Sequence, residues 1–396
     1  MFNPAVTAVS AAMLALATIA SPAVGGPALL YDTADGRVLY AENADQPWYA
    51  ASLTKMMTAY VVFTAWKAGK GTPADKLTVS ATANSRPKMR LGLGTGKQIS
   101  YGDAVKALIM LSANDIAVVL AEAHSGTEEA FVAEMNETAK RLGMTGTRFI
   151  NANGLPGEGQ HTTARDMALL AQALIRDYPE HLDVFSMTMT EVGETKKTLI
   201  ATHNAVLMTF EGGDGLKTGF TCSAGYNIVA SATRGGRRLV AVVLGEESVA
   251  KRTLRASMLL EHGFNTIAWK SFYPAPTIQS LPEGVYDRTV VRMANLDKRF
   301  KDCKDPEPVV DPNALVAAAD GKAVPQSPPG AKGSKTVKLK TASVTGALPD
   351  KTTLPDAGAM PAPAKQVLKI DIKRKVAKKA PPKANDKSPT FSYAKQ

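Results

Sequence analysis

Tyr226-Asn227-Ile228-Val229-Ala230-Ser231-Ala232-Thr233, then Gly235-Gly236, then Arg238-Leu239-Val240-Ala241-Val242-Val243-Leu244 reads as a β-hairpin late in the chain. Two further strands are predicted near the start, at 28–31 and 37–40, with Asp35-Gly36 as the turn between them. Helical patterns fill the sequence from 53 to 177. In the first of them Met56, Tyr60 and Phe63 share a face, and a turn falls at Gly143. Thr163-Ala164-Arg165-Asp166 resembles a capping box before an apolar run at 167–175. A closing helix is expected over 249–261. Strands at both ends of a helical block predict an α+β domain, an antiparallel sheet flanked by helices with an inserted helical lobe.

The 396 residues allow one large domain with extras, or two modest ones. The last quarter, 301–396, carries 18 Lys/Arg against 9 Asp/Glu and so holds about +9 of the +11 net charge. It is rich in Pro, Ala and Lys and reads as a largely disordered basic tail. Residues 1–24 read as a secretory signal, with an apolar run of about 16 residues, short of the roughly 20 that span a bilayer. No Lys or Arg precedes that run. The expected layout is a signal at 1–24, a catalytic domain at 25–272, a connecting segment at 273–300 and the tail at 301–396. Cys222 and Cys303 leave open either two free thiols or one disulfide. The five histidines (His124, His161, His181, His203 and His262) are scattered without metal-ligand spacing, so neither a metal nor a cofactor is implied.

Candidate chemistry begins at Ser52-Leu53-Thr54-Lys55. A serine hydroxyl needs a base within reach, and residues three apart on a helix share a face. The same spacing recurs at Ser85-Lys88, Ser248-Lys251 and Ser392-Lys395. Ser52 is preferred because an apolar helix follows it and can hold the pair rigid; the plain alternative is a helix cap. Ser112-Ala113-Asn114 stands between two apolar helices, where a loop can project polar side chains. Lys217-Thr218-Gly219 opens the returning strands and offers a cation, a hydroxyl and room for a close backbone approach.

This ordered triple resembles the signature of the penicillin-recognising serine enzymes. Further matches resemble the low-molecular-weight serine D-Ala-D-Ala carboxypeptidases: Ala50-Ala51-Ser52-Leu53-Thr54-Lys55-Met56-Met57, Asn153-Gly154-Leu155, His161-Thr162-Thr163-Ala164-Arg165-Asp166, Asp214-Gly215-Leu216-Lys217-Thr218-Gly219-Phe220-Thr221 and Ala224-Gly225-Tyr226. The likeness spans about 28–264 and implies a penicillin-binding, serine β-lactamase-like fold. It implies Ser52 as acyl-forming nucleophile, Lys55 as general base and Ser112 as proton relay, with Asn114 holding the substrate amide. Lys217 and Thr218 would bind the terminal carboxylate, Gly219 would let the substrate backbone approach closely, and the Ser52 and Phe220 backbone N–H groups would form an oxyanion hole. Arg252 falls where the family often has a carboxylate-binding arginine; the plain alternative is an exposed helical residue.

The implied partners are peptidoglycan stem peptides, with β-lactams as covalent inhibitors, in the periplasm or cell envelope. The region around Asn151-Ala152-Asn153-Gly154-Leu155-Pro156-Gly157 lacks the Glu-x-x-Leu-Asn of class A β-lactamases, so slow loss of a penicillin adduct is expected. Two alternatives stay open: an endopeptidase acting on cross-links, and a non-catalytic envelope-binding protein. The tail is expected to touch anionic lipid or an envelope polymer, or to be a plain solvated linker. No nucleic-acid partner is implied, since the tail has few aromatics on which bases could stack.

Overall fold

The computed structural model describes residues 26–87, 89–194, 197–270 and 274–284, all within the first of two units, 1–326 and 327–396, into which the chain divides. The expected leader, Cys303 and the basic tail lie outside the described residues. Strands β1 (Ala28–Asp32) and β2 (Val38–Glu42) come first. Next are α1 (Thr54–Lys67), β3 (Lys76–Thr78), α2 (Ala81–Asn84), β4 (Gln98–Ser100) and α3 (Tyr101–Lys106). Helices α4 (Asn114–Ser125), α5 (Glu128–Arg141), α6 (Ala164–Asp177) and α7 (Asp183–Ser186) follow. Then come β5 (Met189–Val192), β6 (Thr198–Ala201), α8 (Val206–Thr209), β7 (Gly213–Thr221), β8 (Gly225–Arg234), β9 (Arg237–Glu246) and α9 (Val249–Lys270).

The main sheet has the order β2-β1-β9-β8-β7 and is antiparallel at every pairing. The two ends of the domain therefore meet at β1 and β9, as the α+β reading expects. Successive strand residues point to opposite faces, and both faces are covered. Leu29, Tyr31, Val240 and Val242 enter the core shared with the helical lobe, while Leu30, Leu239, Ala241 and Val243 enter a second core with α9. Each fully buried Leu or Val contributes roughly 1.5–3 kcal/mol of hydrophobic transfer energy, and the two layers hold β7 in place at the edge of the sheet.

Helix α1 is buried almost all round, with Met56, Met57, Ala59, Val61, Val62 and Phe63 each no more than 1% exposed. The single face expected for Met56, Tyr60 and Phe63 is therefore too narrow a reading: α1 is a central helix enclosed by its neighbours. The sequence reading also passes over the short β3–β4 and β5–β6 pairs, whose few residues give too little period to register. The closing helix runs past 261 to Lys270.

Thr163 caps α6, its Oγ1 accepting from the Asp166 N–H at 3.0 Å, a cap worth about 1 kcal/mol. The Asp166 carboxylate is buried and accepts from the Gly146 N–H at 2.9 Å and the Thr147 hydroxyl at 2.6 Å, so it also fastens that segment to α6. Residues 274–284 lie against the domain. Val38 donates to the Pro276 carbonyl, Ile278 donates to the Gly36 carbonyl, each at 2.9 Å, and Ile278 is fully buried. Arg165 grips this strap through the carbonyls of Ile278, Leu281 and Pro282 while pairing with both oxygens of Asp45. No described helix is long and apolar enough to cross a membrane.

Candidate active site

Ser52 occupies the middle of a 3-10 turn, Ala51–Leu53, that runs directly into α1. Ala51 has φ of 48°, a left-handed conformation costly for a residue with a Cβ. Its neighbours enforce it. Asn227, wholly buried in β8, donates to the carbonyls of Tyr49 at 2.9 Å and Ala50 at 3.2 Å and accepts from the Gly245 N–H at 2.8 Å. Trp48 donates from its indole to the Ala224 carbonyl at 2.8 Å. The sequence reading names neither residue as part of the site. The available signal for Asn227 was an amide inside an otherwise apolar strand.

Lys55 is fully buried, and its Nζ meets three acceptors: Ser52 Oγ at 2.9 Å, Asn114 Oδ1 at 2.8 Å and the Asn153 carbonyl at 2.6 Å. Burial lowers its pKa well below the ordinary lysine value, and the Lys217 ammonium lowers it further, while Asp115 acts the other way. A lysine so placed is suited to accept the proton of an adjacent hydroxyl. The Asn153 carbonyl comes from the Asn153-Gly154-Leu155 loop. Thr58 of α1 holds that loop through the Ala152 carbonyl at 2.6 Å. Gly154 has φ of +84°, and a Cβ there would stand 1.9 Å from the Ala51 carbonyl oxygen, so only glycine lets the loop reach Lys55.

A π-helical turn, Ala107–Leu111, ends at Ser112, whose φ of 61° is left-handed. Asn114 starts α4 two residues on. Its backbone N–H donates to the Met89 carbonyl at 2.7 Å and its Nδ2 to the Pro87 carbonyl at 3.4 Å. Asp115 accepts from the Leu91 and Gly92 N–H groups at 3.0 and 2.8 Å, tying the loop ahead of β4 to the same turn.

Strand β7 supplies Lys217, Thr218, Gly219 and Phe220. Gly219 lies against the 3-10 turn: a Cβ there would be 3.1 Å from the Ser52 nitrogen. This close approach brings β7 directly against the turn that carries Ser52. Lys217 is 2% exposed, and burial followed by the Arg252 charge pushes its pKa down to about 7; its Nζ donates to the Thr218 carbonyl at 2.9 Å. Arg252, in the first turn of α9, is 3% exposed, which excludes the reading of an exposed helical arginine. Burial lowers its pKa to about 10, its Nη2 donates to the His203 carbonyl at 3.3 Å, and its buried Nε has no hydrogen-bond partner. An unsatisfied buried guanidinium nitrogen beside a buried lysine suits a carboxylate.

Among the described residues, the competing serines Ser248 and Ser85 serve local structure. Ser248 accepts from the Lys251 N–H at 3.1 Å at the start of α9, and Ser85 donates to the Thr82 carbonyl at 2.7 Å; Lys88 and the Ser392 pair lie outside the described residues. Phe220 stacks on Tyr226 with centroids 4.2 Å apart. Cys222, just past Phe220, is disulfide-bonded, so the free-thiol alternative does not hold for it.

The D-alanyl-D-alanine carboxypeptidase family model matches residues 16–248. The chain is 40% identical over 257 residues to D-alanyl-D-alanine carboxypeptidase DacC of Escherichia coli, covering 62% of this chain and 63% of that relative, less than two thirds of its length. Penicillin-binding protein 5 from Haemophilus influenzae matches with a TM-score of 0.58 and 37% identity, over 61% of this chain and 71% of that one. Penicillin-binding protein D2 from Listeria monocytogenes, in an ampicillin-bound form, matches with a TM-score of 0.56 and 35% identity, over 61% of this chain and 97% of that one. With a match over more than half its length and a buried lysine on the serine of its Ser-x-x-Lys turn, the chain belongs to the D-alanyl-D-alanine carboxypeptidase family.

Proposed function

We propose that this chain is a serine DD-carboxypeptidase that removes the terminal D-alanine from peptidoglycan pentapeptide stems through an acyl-enzyme on Ser52. The observation that carries this reading is the 2.9 Å contact of Lys55 Nζ with Ser52 Oγ, on a lysine whose pKa is held low by burial and by Lys217. A buried amine whose pKa is held low is better suited to act as base than a surface lysine.

In the proposed reaction Ser52 Oγ attacks the carbonyl between the two D-alanines while Lys55 takes its proton. The Ser52 and Phe220 N–H groups stabilise the oxyanion. Ser112 relays the proton from Lys55 to the leaving D-alanine amine, and Asn114 holds the substrate amide. Lys217, Thr218 and Arg252 hold the terminal carboxylate, and Gly219 lets the substrate backbone approach closely. Water then hydrolyses the ester, with Lys55 again as base. A β-lactam carries the same carboxylate and a strained amide, so it acylates Ser52 in the same way. Without a class A glutamate beside the ester, that adduct leaves slowly. The work takes place in the cell envelope, where such stems are found, and the basic tail contacts anionic lipid or an envelope polymer.

Fluorescent-penicillin labelling and D-alanine release from a D-Ala–D-Ala peptide, in wild type and Ser52→Ala, test the reading. It requires both signals, and requires both to fall by at least about a thousandfold in the variant. Labelling without release supports an endopeptidase in its place. A folded wild type that does neither supports a non-catalytic envelope-binding protein.

A further inference from the structure

Glu128, the first residue of α5, ties together two segments that lie 24 and 42 residues away in sequence. Its Oε1 accepts from the Ala152 N–H at 3.0 Å, and its Oε2 accepts from Arg86 Nη2 at 2.6 Å. The ion pair is largely enclosed, with the Arg86 and Glu128 side chains 13% and 11% exposed. Each segment leads, one residue further on, to a partner of the site. Asn153, after Ala152, supplies the carbonyl that accepts from Lys55 Nζ at 2.6 Å. Pro87, after Arg86, supplies the carbonyl that accepts from Asn114 Nδ2 at 3.4 Å, and Oδ1 of that amide accepts from Lys55 at 2.8 Å. Thr58 holds Ala152 from the other side, through its carbonyl at 2.6 Å. Ala152 is thus clamped between α1 and α5, which fixes where the next carbonyl points.

We propose that Glu128 is a positioning residue for the Ser52–Lys55 pair, which through Ala152 aims the Asn153 carbonyl at Lys55 and through Arg86 and Pro87 steadies Asn114. The inference rests on the carboxypeptidase reading above and deepens it, adding a residue that acts through its neighbours. A carboxylate suits the place because it accepts on two oxygens at once, and its charge strengthens both bonds. Loss of the clamp changes the base itself. A carbonyl that accepts from an ammonium favours the charged form, so its withdrawal lowers the Lys55 pKa further. The charged groups that act on Lys55 are Lys217 from β7 and Asp115 from α4. Those that act on Glu128 are Arg86, Glu129 and Glu122.

The test uses the full chain as wild type, Glu128→Gln and Glu128→Ala, with the rate of fluorescent-penicillin acylation followed from about pH 4 to about pH 9 beside thermal unfolding. Glutamine keeps an oxygen for the Ala152 N–H but leaves the enclosed Arg86 without its counter-charge. Its Tm is expected to fall, while its acid limb stays at the wild-type pH and its plateau rate remains within about threefold. Alanine loses both bonds. Its acid limb is expected to move about one pH unit or more to lower pH, and its plateau rate to fall about tenfold or more. A merely structural role would lower Tm in both variants and leave both limbs in place. Should Glu128→Ala not fold, Arg86→Met with Glu128→Met removes both charges, a change that enclosed ion pairs often tolerate, and is expected to show the same shift. An acid limb that stays in place in the variant lacking the acceptor, or that moves equally in Glu128→Gln, overturns the inference and leaves the carboxypeptidase reading intact. Acylation without D-alanine release removes that reading, while the acylation profiles still decide the role of Glu128. A folded wild type that is not acylated overturns both.

Discussion

Asn227 donates to the Ala50 carbonyl at 3.2 Å, so strand β8 grips the chain two residues ahead of Ser52. The same amide holds Tyr49 and accepts from Gly245, and no water need enter to satisfy it. Asn227→Ala would strand the Gly245 N–H and two carbonyls in a buried place, at about 1–3 kcal/mol for each unsatisfied group. Its Tm is expected to fall by several degrees. Asn227→Asp keeps the acceptor for Gly245 and loses the donors. Thermal unfolding beside penicillin acylation should show a stability loss in both variants and slower acylation in both. Full acylation rates in Asn227→Asp would show that the Tyr49 and Ala50 bonds do not position the serine.

Lys217 gives a pH dependence of opposite origin to that of Lys55. Its pKa is pushed down to about 7 in the empty site, and a bound carboxylate raises it. Carboxylate binding therefore takes up a proton above neutrality, and affinity falls as the pH rises through about 7, approaching tenfold per unit where the site is unprotonated. Lys55 must be neutral to act as base, so acylation falls on the acid side of its lowered pKa. Lys217→Gln removes a cation that depresses the Lys55 pKa. The acid limb of acylation should move to higher pH, and the alkaline rise in KM should vanish. Acylation profiles of the two proteins with superimposable acid limbs would remove Lys217 from the control of Lys55.

Much of this site was legible because three short motifs fall in order, and because an apolar helix behind Ser52 separates that pair from its three imitators. The same holds for the sheet, whose hairpin announces itself through Gly235-Gly236 and two apolar runs. What escaped reading depends on contacts between distant residues. Nothing local in Asn227 or Trp48 says that each reaches a carbonyl near 176 residues away or more in sequence. Arg252 could be placed by position only; its burial beside Lys217 depends on how α9 packs on the sheet. The β3–β4 and β5–β6 pairs are held by tertiary neighbours, with too few residues for a period to appear.

Arg165 ties the strap to the domain, and its removal should free it. The pair with Asp45 is nearly enclosed, with both side chains 11% exposed. Breaking such a pair by removing one partner costs about 3–5 kcal/mol, since the other charge stays buried alone. Arg165→Ala is expected to lower Tm and to speed hydrogen exchange at Val38 and Ile278, whose amides bond across the strap. Replacing Asp45 in the same protein, as Arg165→Ala with Asp45→Ala, should recover part of the loss. Protection at Val38 and Ile278 equal to that of the wild type would show that the strap holds without the arginine.

Gly154 offers a test of how tightly the base is positioned. Gly154 and Gly159 have nearly the same positive φ, +84° and +85°, so alanine is strained at either. They differ in what a Cβ would meet. At Gly159 the nearest atom is the end of the Arg148 side chain at 3.6 Å, whereas at Gly154 it is the Ala51 carbonyl oxygen at 1.9 Å. Gly159→Ala should therefore cost about 1–2 kcal/mol of stability and leave acylation nearly intact. Gly154→Ala must push its loop away from the 3-10 turn, drawing the Asn153 carbonyl off Lys55 and shifting Ser52. A displacement of about 1 Å at a reacting pair can cost about a hundredfold in rate. Penicillin acylation of folded Gly154→Ala is expected to fall by about that factor against the Gly159→Ala control, and equal rates in the two would mean the loop can yield without disturbing the Ser52–Lys55 contact.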